Sequence, residues 1–168
     1  MYKKRVEAGD AYAVFTFGYY YDLGLYGLPR DHTKALELWQ QAGELCCAEA
    51  YYNIGNAYYN GRGVERDERM ADHYHELAAM GGNATSRHNL GTSECRAGNL
   101  DRAIKHWLIS TGSGRNESVK NMQHLYKHGH ATKEDYTNAL LAYQQCLEEI
   151  RSEQRDKAAA YGDDYKYY

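Results

Sequence analysis

Three histidines lie close together late in this chain, and their spacing is the first feature that could do chemistry. His124 and His128 are four residues apart, so a helix would place both on one face, and His130 follows closely. Imidazoles at this spacing can hold a transition metal. However, no neighbouring cysteine or carboxylate completes a recognisable ligand set, and no His-Glu-x-x-His motif is present. We therefore expect a cluster of surface histidines and no metal site.

Two other segments imitate catalytic motifs without the setting that the chemistry needs. Residues 161–164 read Tyr-Gly-Asp-Asp, a polymerase metal-site string, but they follow three alanines instead of an apolar strand. Residues 112–114 read Gly-Ser-Gly, but no Lys-Ser/Thr pair follows to make a phosphate loop. No serine, histidine and acid stand in a recognisable nucleophile setting. The sequence therefore predicts that the protein is not an enzyme and needs no cofactor.

The composition narrows the class of protein further. The net charge is −3 and the pI about 6.2, which argues against a strong general attraction to nucleic acid. No run of about 18 apolar residues exists, so no membrane span is expected. The four cysteines form no Cys-x-x-Cys pair, a usage typical of reduced thiols. We expect a cytoplasmic or otherwise intracellular protein that binds neither nucleic acid nor membrane.

The elements that would position any functional residue come from one pattern repeated four times. A glycine marks three copies, at Gly18, Gly55 and Gly91, and Gln123 takes its place in the fourth. The glycines are 37 and 36 residues apart, a period typical of stacked helical pairs. Small residues at helical spacing let two helices approach, while one large ring fills the remaining gap. The clearest aligned columns are Ala13, Ala50, Ser86 and Ser118; Ala35, Ala71, Ala103 and Ala139; and Trp39, His75, Trp107 and Tyr143.

Polar residues mark where the second helix of each pair begins. Their side chains can accept hydrogen bonds from the free N–H groups of a first helical turn. They stand four residues before the helix alanine, at Asp31, Asp67, Asn99 and Asp135. In the fourth copy Thr132 is an alternative cap that would shift the start of the helix. Gly24 and Gly61 predict a left-handed end to the first helix of their pairs.

The repeat predicts an all-α protein, namely a right-handed α–α superhelix of four helix pairs with a long C-terminal capping helix. The last helix should run from Asp135 to about Tyr161, and its charged second half would cover the open end of the stack. We expect one solenoid over residues 1–161 and a flexible tail over residues 162–168. The four repeats are expected at about 7–43, 44–80, 81–112 and 113–161.

These residues resemble the Sel-one-like repeat family, a branch of the tetratricopeptide superfamily. The similarity is carried by residues 34–39, 50–64 and 67–71, and it extends over about 7–150. The third copy lacks the usual loop, and the fourth departs from the motif at Gln123. The resemblance implies a fold of stacked helix pairs and is nearly silent about the partner.

A closer resemblance is to the Sel-one-like proteins of diatoms and related algae, carried by residues 87–91, 97–103 and 155–157. Some of those proteins carry a zinc-binding RING-type domain before the repeats, and this sequence shows none. The resemblance therefore implies an interaction scaffold or adaptor that binds a protein or peptide segment. The alternative is the substrate-recruiting repeat region of a RING-type ubiquitin ligase whose catalytic module is absent from this chain.

In helical-pair repeats of this kind the first helices line the concave face. Residues three before, one after and four after the anchor should point into that face, and an asparagine ladder two residues before the anchor could hold a peptide backbone. The predicted binding residues are Phe15, Tyr19, Asp22, Tyr52, Asn53, Asn56, Tyr59, His88, Asn89, Thr92, Lys120, Asn121, His124 and Lys127. The first repeat has no evident cap near Tyr2 and Val6, so self-association through it is a further expectation.

Overall fold

The computed structural model describes the backbone of residues 10–164 and the side chains of residues 10–154 and Lys157. All regular secondary structure in this part of the chain is helical, which confirms the predicted all-α class. Its eight helices are α1 (Ala11–Leu23), α2 (His32–Glu44), α3 (Ala48–Asn60), α4 (Glu68–Met80), α5 (Ala84–Arg96), α6 (Leu100–Thr111), α7 (Asn116–Lys127) and α8 (Lys133–Asp164). None of the described helices is long and apolar enough to cross a membrane.

Two of the predicted caps begin the second helices of the first two repeats. The Asp31 side chain accepts a hydrogen bond from the Lys34 backbone N–H at 2.9 Å, so α2 begins where the sequence predicts. Asp67 accepts from the backbone N–H groups of Arg69 and Met70, at 2.9 and 3.1 Å. These bonds satisfy N–H groups that have no partner inside the helix, and each cap stabilises its helix by about 1 kcal/mol.

The predicted N-cap position at Asn99 is correct, because α6 begins at Leu100 and the Ala103 N–H donates to the Asn99 carbonyl, but the capping bond predicted for the side chain of Asn99 is absent. Its side chain makes no capping bond to α6, and its Nδ2 donates instead to Glu94 Oε2 at 2.7 Å. The backbone of Asn99 has φ −85° and ψ 64°, outside the extended region that a capping residue normally adopts. Only residues 97–99 join α5 to α6.

In the fourth repeat the second helix begins at the alternative position, directly after Thr132. Thr132 Oγ1 accepts from the Asp135 N–H at 3.1 Å, and Asp135 Oδ2 accepts from the Thr132 N–H at 2.9 Å. This reciprocal pair is a capping box, so α8 begins at Lys133 and Asp135 lies inside it. The helix ends at Asp164, so residues 162–164 are helical and not part of a tail; residues 165–168 lie outside the described part, as do residues 1–9.

Glycines end the first helices of the first two repeats, as predicted. Gly24 has φ 68° and Gly61 has φ 67°, a left-handed conformation in which a side chain is strained. Their backbone N–H groups donate to Tyr20 O and Ala57 O, so they satisfy carbonyls of the last turn.

The described chain divides into two compact units, and the boundary between Ser93 and Glu94 lies within α5. In the first unit small residues contribute much of the core, and all of the following are buried: Ala13, Ala35, Ala42, Ala50, Ala71, Ala78 and Ser86. Trp39 packs on Gly18, where a methyl group would lie 2.8 Å from the ring. His75 packs on Gly55 in the same way, with a methyl group 2.9 Å from the imidazole. In both repeats the large ring thus packs directly on the anchor glycine.

The second unit has a separate core. Trp107, Met122 and Leu125 are buried together with Ala103 and Ala139, and they join α6 and α7 to the beginning of α8. Ser110 and Ser118, from the small-residue columns, are fully buried. Met122 is completely buried although the neighbouring anchor glycine is replaced by Gln123, so the apolar residue before the anchor keeps its place in the core.

Candidate functional site

The first unit carries ten of the fourteen predicted binding residues, on α1, α3 and α5. Three aromatic rings, Phe15, Tyr52 and His88, occupy the same position of successive first helices, and all three are half-buried. Tyr19 and Tyr59 are 44% and 37% exposed. The remaining residues are Asn53, Asn56, Asn89 and Thr92, which are half-buried, and Asp22, which is buried.

Helix α1 has more exposed aromatic surface than the prediction included. Tyr12 is 63% exposed, and its ring lies 5.8 Å from that of Phe15. Tyr12, Phe15 and Tyr19 are three and four residues apart, so they share one face of α1. The same spacing rule would have found Tyr12 in the sequence, one helical turn before the first residue of the predicted set.

The asparagines are not equivalent. Within the described part of the chain, the Asn53 amide makes no hydrogen bond, so its donors and acceptor are open to a ligand or to water. Asn56 uses its backbone carbonyl to accept from Asn60 Nδ2 at 2.8 Å. Asn89 instead lies against the core, with Nδ2 3.4 Å from His75 Nε2. Of the predicted asparagine ladder in the first unit, Asn53 therefore has an amide that is available to a ligand, whereas the amide of Asn89 is held by His75 on its core side.

Asp22 has a structural role, unlike its predicted place on an open face. It is only 7% exposed, and its carboxylate lies 2.8 Å from His32 Nδ1 and 3.5 Å from Arg62 Nη1. Arg62 belongs to the loop of the second repeat, whose Gly63 also packs against the backbone of His32. A buried carboxylate needs such partners, because an unpaired one is costly. Asp22 therefore ties the first repeat to the loop of the second.

Two further predicted residues use part of their polar capacity inside the fold. The Thr92 hydroxyl donates to the His88 carbonyl at 3.1 Å, within α5. The guanidinium of Arg66 lies 5.7 Å from the centre of the Tyr59 ring, a cation–π contact. Tyr59 keeps an exposed edge, whereas the Thr92 hydroxyl has lost its donor to the helix.

The second unit carries the other four predicted residues, on α7. Lys120, His124 and Lys127 are exposed and share one helix face, and Asn121 is half-buried. The His124 and His128 rings are 4.2 Å apart, and His128 Nδ1 lies 2.8 Å from the His124 carbonyl. Within the described residues, no group of three or more histidines, cysteines or carboxylates could hold a metal ion. This face is basic, in contrast to the aromatic face of α1.

Burial strongly alters the ionisation of His75, which lies near the predicted face. His75 is 3% exposed, and burial lowers its pKa from 6.5 to about 4, so the imidazole is neutral at physiological pH. Its ring lies 5.9 Å from that of Tyr52. The buried histidine thus contacts Tyr52 and Asn89 from the core side. Its burial agrees with its place among the large rings of the repeat.

Comparison with known proteins identifies the repeat. Residues 11–45 and 48–83 match the Sel1 repeat, which covers the first two helix pairs. A Sel1 repeat protein from Oxalobacter formigenes superposes with a TM-score of 0.75, at 24% identity, over 88% of this chain and 62% of that one. The protective antigen c5321 of uropathogenic Escherichia coli, with an SLR fold, superposes with a TM-score of 0.74, at 28% identity, over 88% of this chain and 32% of that one.

Two relatives are similar in sequence. The ERAD-associated E3 ubiquitin-protein ligase component HRD3B of Arabidopsis thaliana is 30% identical over 103 residues, which cover 61% of this chain and 16% of that protein. Chitin synthase regulatory factor 4 of Schizosaccharomyces pombe is 26% identical over 122 residues, 72% of this chain and 19% of that protein. The chain thus spans less than a fifth of the length of either relative. Its first two helix pairs match the Sel1 repeat, and its fold is that of the Sel1 repeat proteins.

Proposed function

We propose that this chain is a protein-interaction scaffold that binds a segment of another protein on the face formed by α1, α3 and α5 of the first unit. The observation that carries the proposal is the combination of exposed aromatic rings at Tyr12 and Tyr19 with the unpaired amide of Asn53. We call these three residues, with Phe15 and Tyr52, the aromatic face.

Such a surface suits a peptide for physical reasons. Tyrosine buries a large apolar area at a small cost in side-chain entropy, and aromatic residues dominate the energetics of protein interfaces. An open carboxamide can donate to a peptide carbonyl and accept from a peptide N–H. The aromatic face therefore offers both apolar anchors and backbone hydrogen bonds, which an extended segment requires.

The relatives support an adaptor role, because they are described as a ligase component and as a regulatory factor of chitin synthase. A chain of this kind needs no chemistry of its own, and we propose that it works by surface complementarity, with no catalysis. The basic stripe of Lys120, His124 and Lys127, with Asn121, is proposed as a second contact region on α7.

The test is a selection from a library of random dodecapeptides displayed on phage, with the chain immobilised. Binding of the recovered peptides is then measured by fluorescence anisotropy. The variant Tyr19→Ala/Asn53→Ala removes one exposed ring and one open amide without disturbing the buried core. We expect at least a tenfold loss of affinity, because both groups face the peptide.

The matched control is Tyr26→Ala, which removes a tyrosine that is 81% exposed but lies in the loop after α1. Its affinity should stay within twofold of the unaltered chain. Circular dichroism of all three proteins checks that they are folded. A Tyr19→Ala/Asn53→Ala variant that binds every peptide normally would move the site off the aromatic face.

The alternative proposal is that the chain recruits substrates to a ubiquitin ligase. A second ligase component supports it: HRD3 of Candida glabrata, 38% identical over 52 residues, 31% of this chain and 6% of that protein. Co-precipitation of the chain from source cells, followed by assay of the precipitate for ubiquitin transfer, tests this role. Absence of transfer activity, with partners still bound, would leave the scaffold function alone. The closer relation to diatom and algal proteins and their RING-type domains stays a prediction.

Self-association through the uncapped end of the first repeat is also proposed; Tyr2 and Val6, which the sequence places there, lie outside the residues that the structure describes. Sedimentation velocity at increasing concentration would detect it. The four cysteines are free, which fits the proposed intracellular, reducing compartment.

A further inference from the structure

The second repeat has His75 at the position where the first repeat has Trp39, and the two rings make different hydrogen bonds. Trp39 Nε1 donates to the Phe15 carbonyl at 3.3 Å, a bond within its own repeat. His75 instead reaches the next repeat. Its Nδ1 lies 3.3 Å from Ser86 Oγ and its Nε2 lies 3.4 Å from Asn89 Nδ2, and both partners belong to α5.

These two contacts fix the protonation of the imidazole. The Asn89 Nδ2 group can only donate, so His75 Nε2 must accept and carries no proton. A neutral imidazole then has its proton on Nδ1, which donates to the Ser86 hydroxyl. Burial at 3% exposure keeps the ring neutral, so this arrangement is the one present near neutral pH.

The same contacts fix the Asn89 amide. Its NH₂ group is held by His75, so the amide cannot turn without losing that bond. Among the residues whose side chains the structure describes, none forms a hydrogen bond to Asn89 Oδ1. Asn89 is only half-buried, and it lies on the helix position that the repeat assigns to the binding face. Beside the second N–H of the amide, its carbonyl oxygen is therefore an acceptor held in one orientation for a ligand. Asn53, which has no such partner, can present either end of its amide.

We propose that His75 is a positioning residue that makes Asn89 an acceptor for one backbone N–H of the bound protein segment. This inference rests on the proposed function, because it names how one rung of the face recognises its partner. The inference distinguishes two asparagines of the face. Asn89 presents an acceptor and so binds a hydrogen-bond donor of the partner, whereas Asn53 can bind either a donor or an acceptor. The partner must therefore offer a free backbone N–H at one position, which excludes proline there.

The first test needs no ligand. Two-dimensional ¹H–¹⁵N NMR of the histidine side chains reports which ring nitrogen is protonated. We expect the Nδ1–H form at His75 at pH 7, and in the Asn89→Ala variant a loss of the hydrogen-bond shift at Nε2. A proton on Nε2 of the unaltered chain would overturn the inference, because Asn89 would then have to turn its carbonyl inward.

The second test uses the tightest dodecapeptide from the phage selection, with each backbone amide replaced in turn by an ester. An ester lacks the N–H, so it weakens binding where that N–H was bound. Against the unaltered chain we expect one ester position to lose about fivefold in affinity. Against His75→Trp, which restores the tryptophan of the column but removes the acceptor for Asn89, that loss should shrink to under twofold. Asn89→Ala should behave like His75→Trp.

Asn53→Ala is the control, because it should weaken binding without changing the response to that ester. An ester effect that is the same in the unaltered chain, His75→Trp and Asn89→Ala would overturn the inference while leaving the proposed binding face intact. Failure to select any peptide would instead overturn the proposed function, and the recognition role of Asn89 with it. The NMR result would still decide the His75 geometry.

Discussion

Two core positions of the first unit, those of Trp39 and His75, have similar packing and different hydrogen bonds. Trp39 packs on Gly18 and His75 packs on Gly55, with nearly the same distance to a methyl group placed on either glycine, 2.8 and 2.9 Å. Yet the indole satisfies its N–H within its own repeat, whereas the imidazole bonds to the next one. The repeat thus fixes where a ring lies, and the ring's polar atoms decide which helices it joins.

The largest effect expected from this comparison concerns packing. Trp39→Ala should lower the free energy of unfolding by about 4 kcal/mol, because it removes a large buried ring and leaves a cavity. His75→Ala should cost about 2 kcal/mol, because the ring is smaller. Urea denaturation followed by circular dichroism measures both. Equal costs would show that the polar contacts of His75 compensate for its smaller volume.

The next effect is a pH dependence of stability, and of the two rings only His75 can cause it. Burial lowers the pKa of His75 from 6.5 to about 4. Above pH 6.5 the imidazole is neutral in both the folded and the unfolded chain. Below pH 6.5 the unfolded chain binds a proton that the folded chain does not, so stability falls as the pH falls towards 4.

Between pH 7.5 and pH 5 this linkage should cost about 2 kcal/mol. Urea denaturation of the unaltered chain and of His75→Phe across this range isolates the effect, since the other titrating groups are common to both. The phenylalanine variant should lose less stability than the unaltered chain by that amount. Parallel pH profiles of the two proteins would show that His75 is not held neutral.

The smallest effect sharpens the comparison by testing what the two repeats share. Asp31 caps α2 and Asp67 caps α4, the helices that carry Trp39 and His75. Asp31→Ala and Asp67→Ala should each cost about 1 kcal/mol, and Asn99→Ala should cost less because Asn99 makes no capping bond. Thermal melts measure the three variants. A large difference between the two aspartates would mean that the repeats differ in more than the ring.

Much of the fold could be predicted because it depends on residue size and spacing. In the first three repeats the small residues, the anchor glycines and the rings are buried as their columns indicate, His75 included, whereas Tyr143 in the fourth copy is only half-buried. The start of α8 has two candidates in the sequence, since both Thr132 and Asp135 can cap a helix. Each caps the other's N–H, so only the backbone shows which residue lies inside the helix.

The polar details could not be predicted, because they depend on which groups meet in three dimensions. Asp22 has the spacing of a surface residue, but the loop of the second repeat brings Arg62 to it. Asn89 has the spacing of an open ladder rung, but it lies beside a histidine 14 residues earlier in the chain. An alignment of the repeats shows what equivalent positions have in common, whereas Arg62 and His75 are partners that occur in one repeat only.

The contact between Asp22 and Arg62 limits how this protein can be recombined. Arg62 and Gly63 belong to the second repeat, but they pack against Asp22 and His32 of the first. A chimera that replaced the second repeat with a foreign one would leave a carboxylate, 7% exposed, without its arginine. The smallest exchangeable module at this end of the chain is therefore a pair of adjacent repeats, and shuffling single repeats would succeed only if both sides of that junction were carried over together.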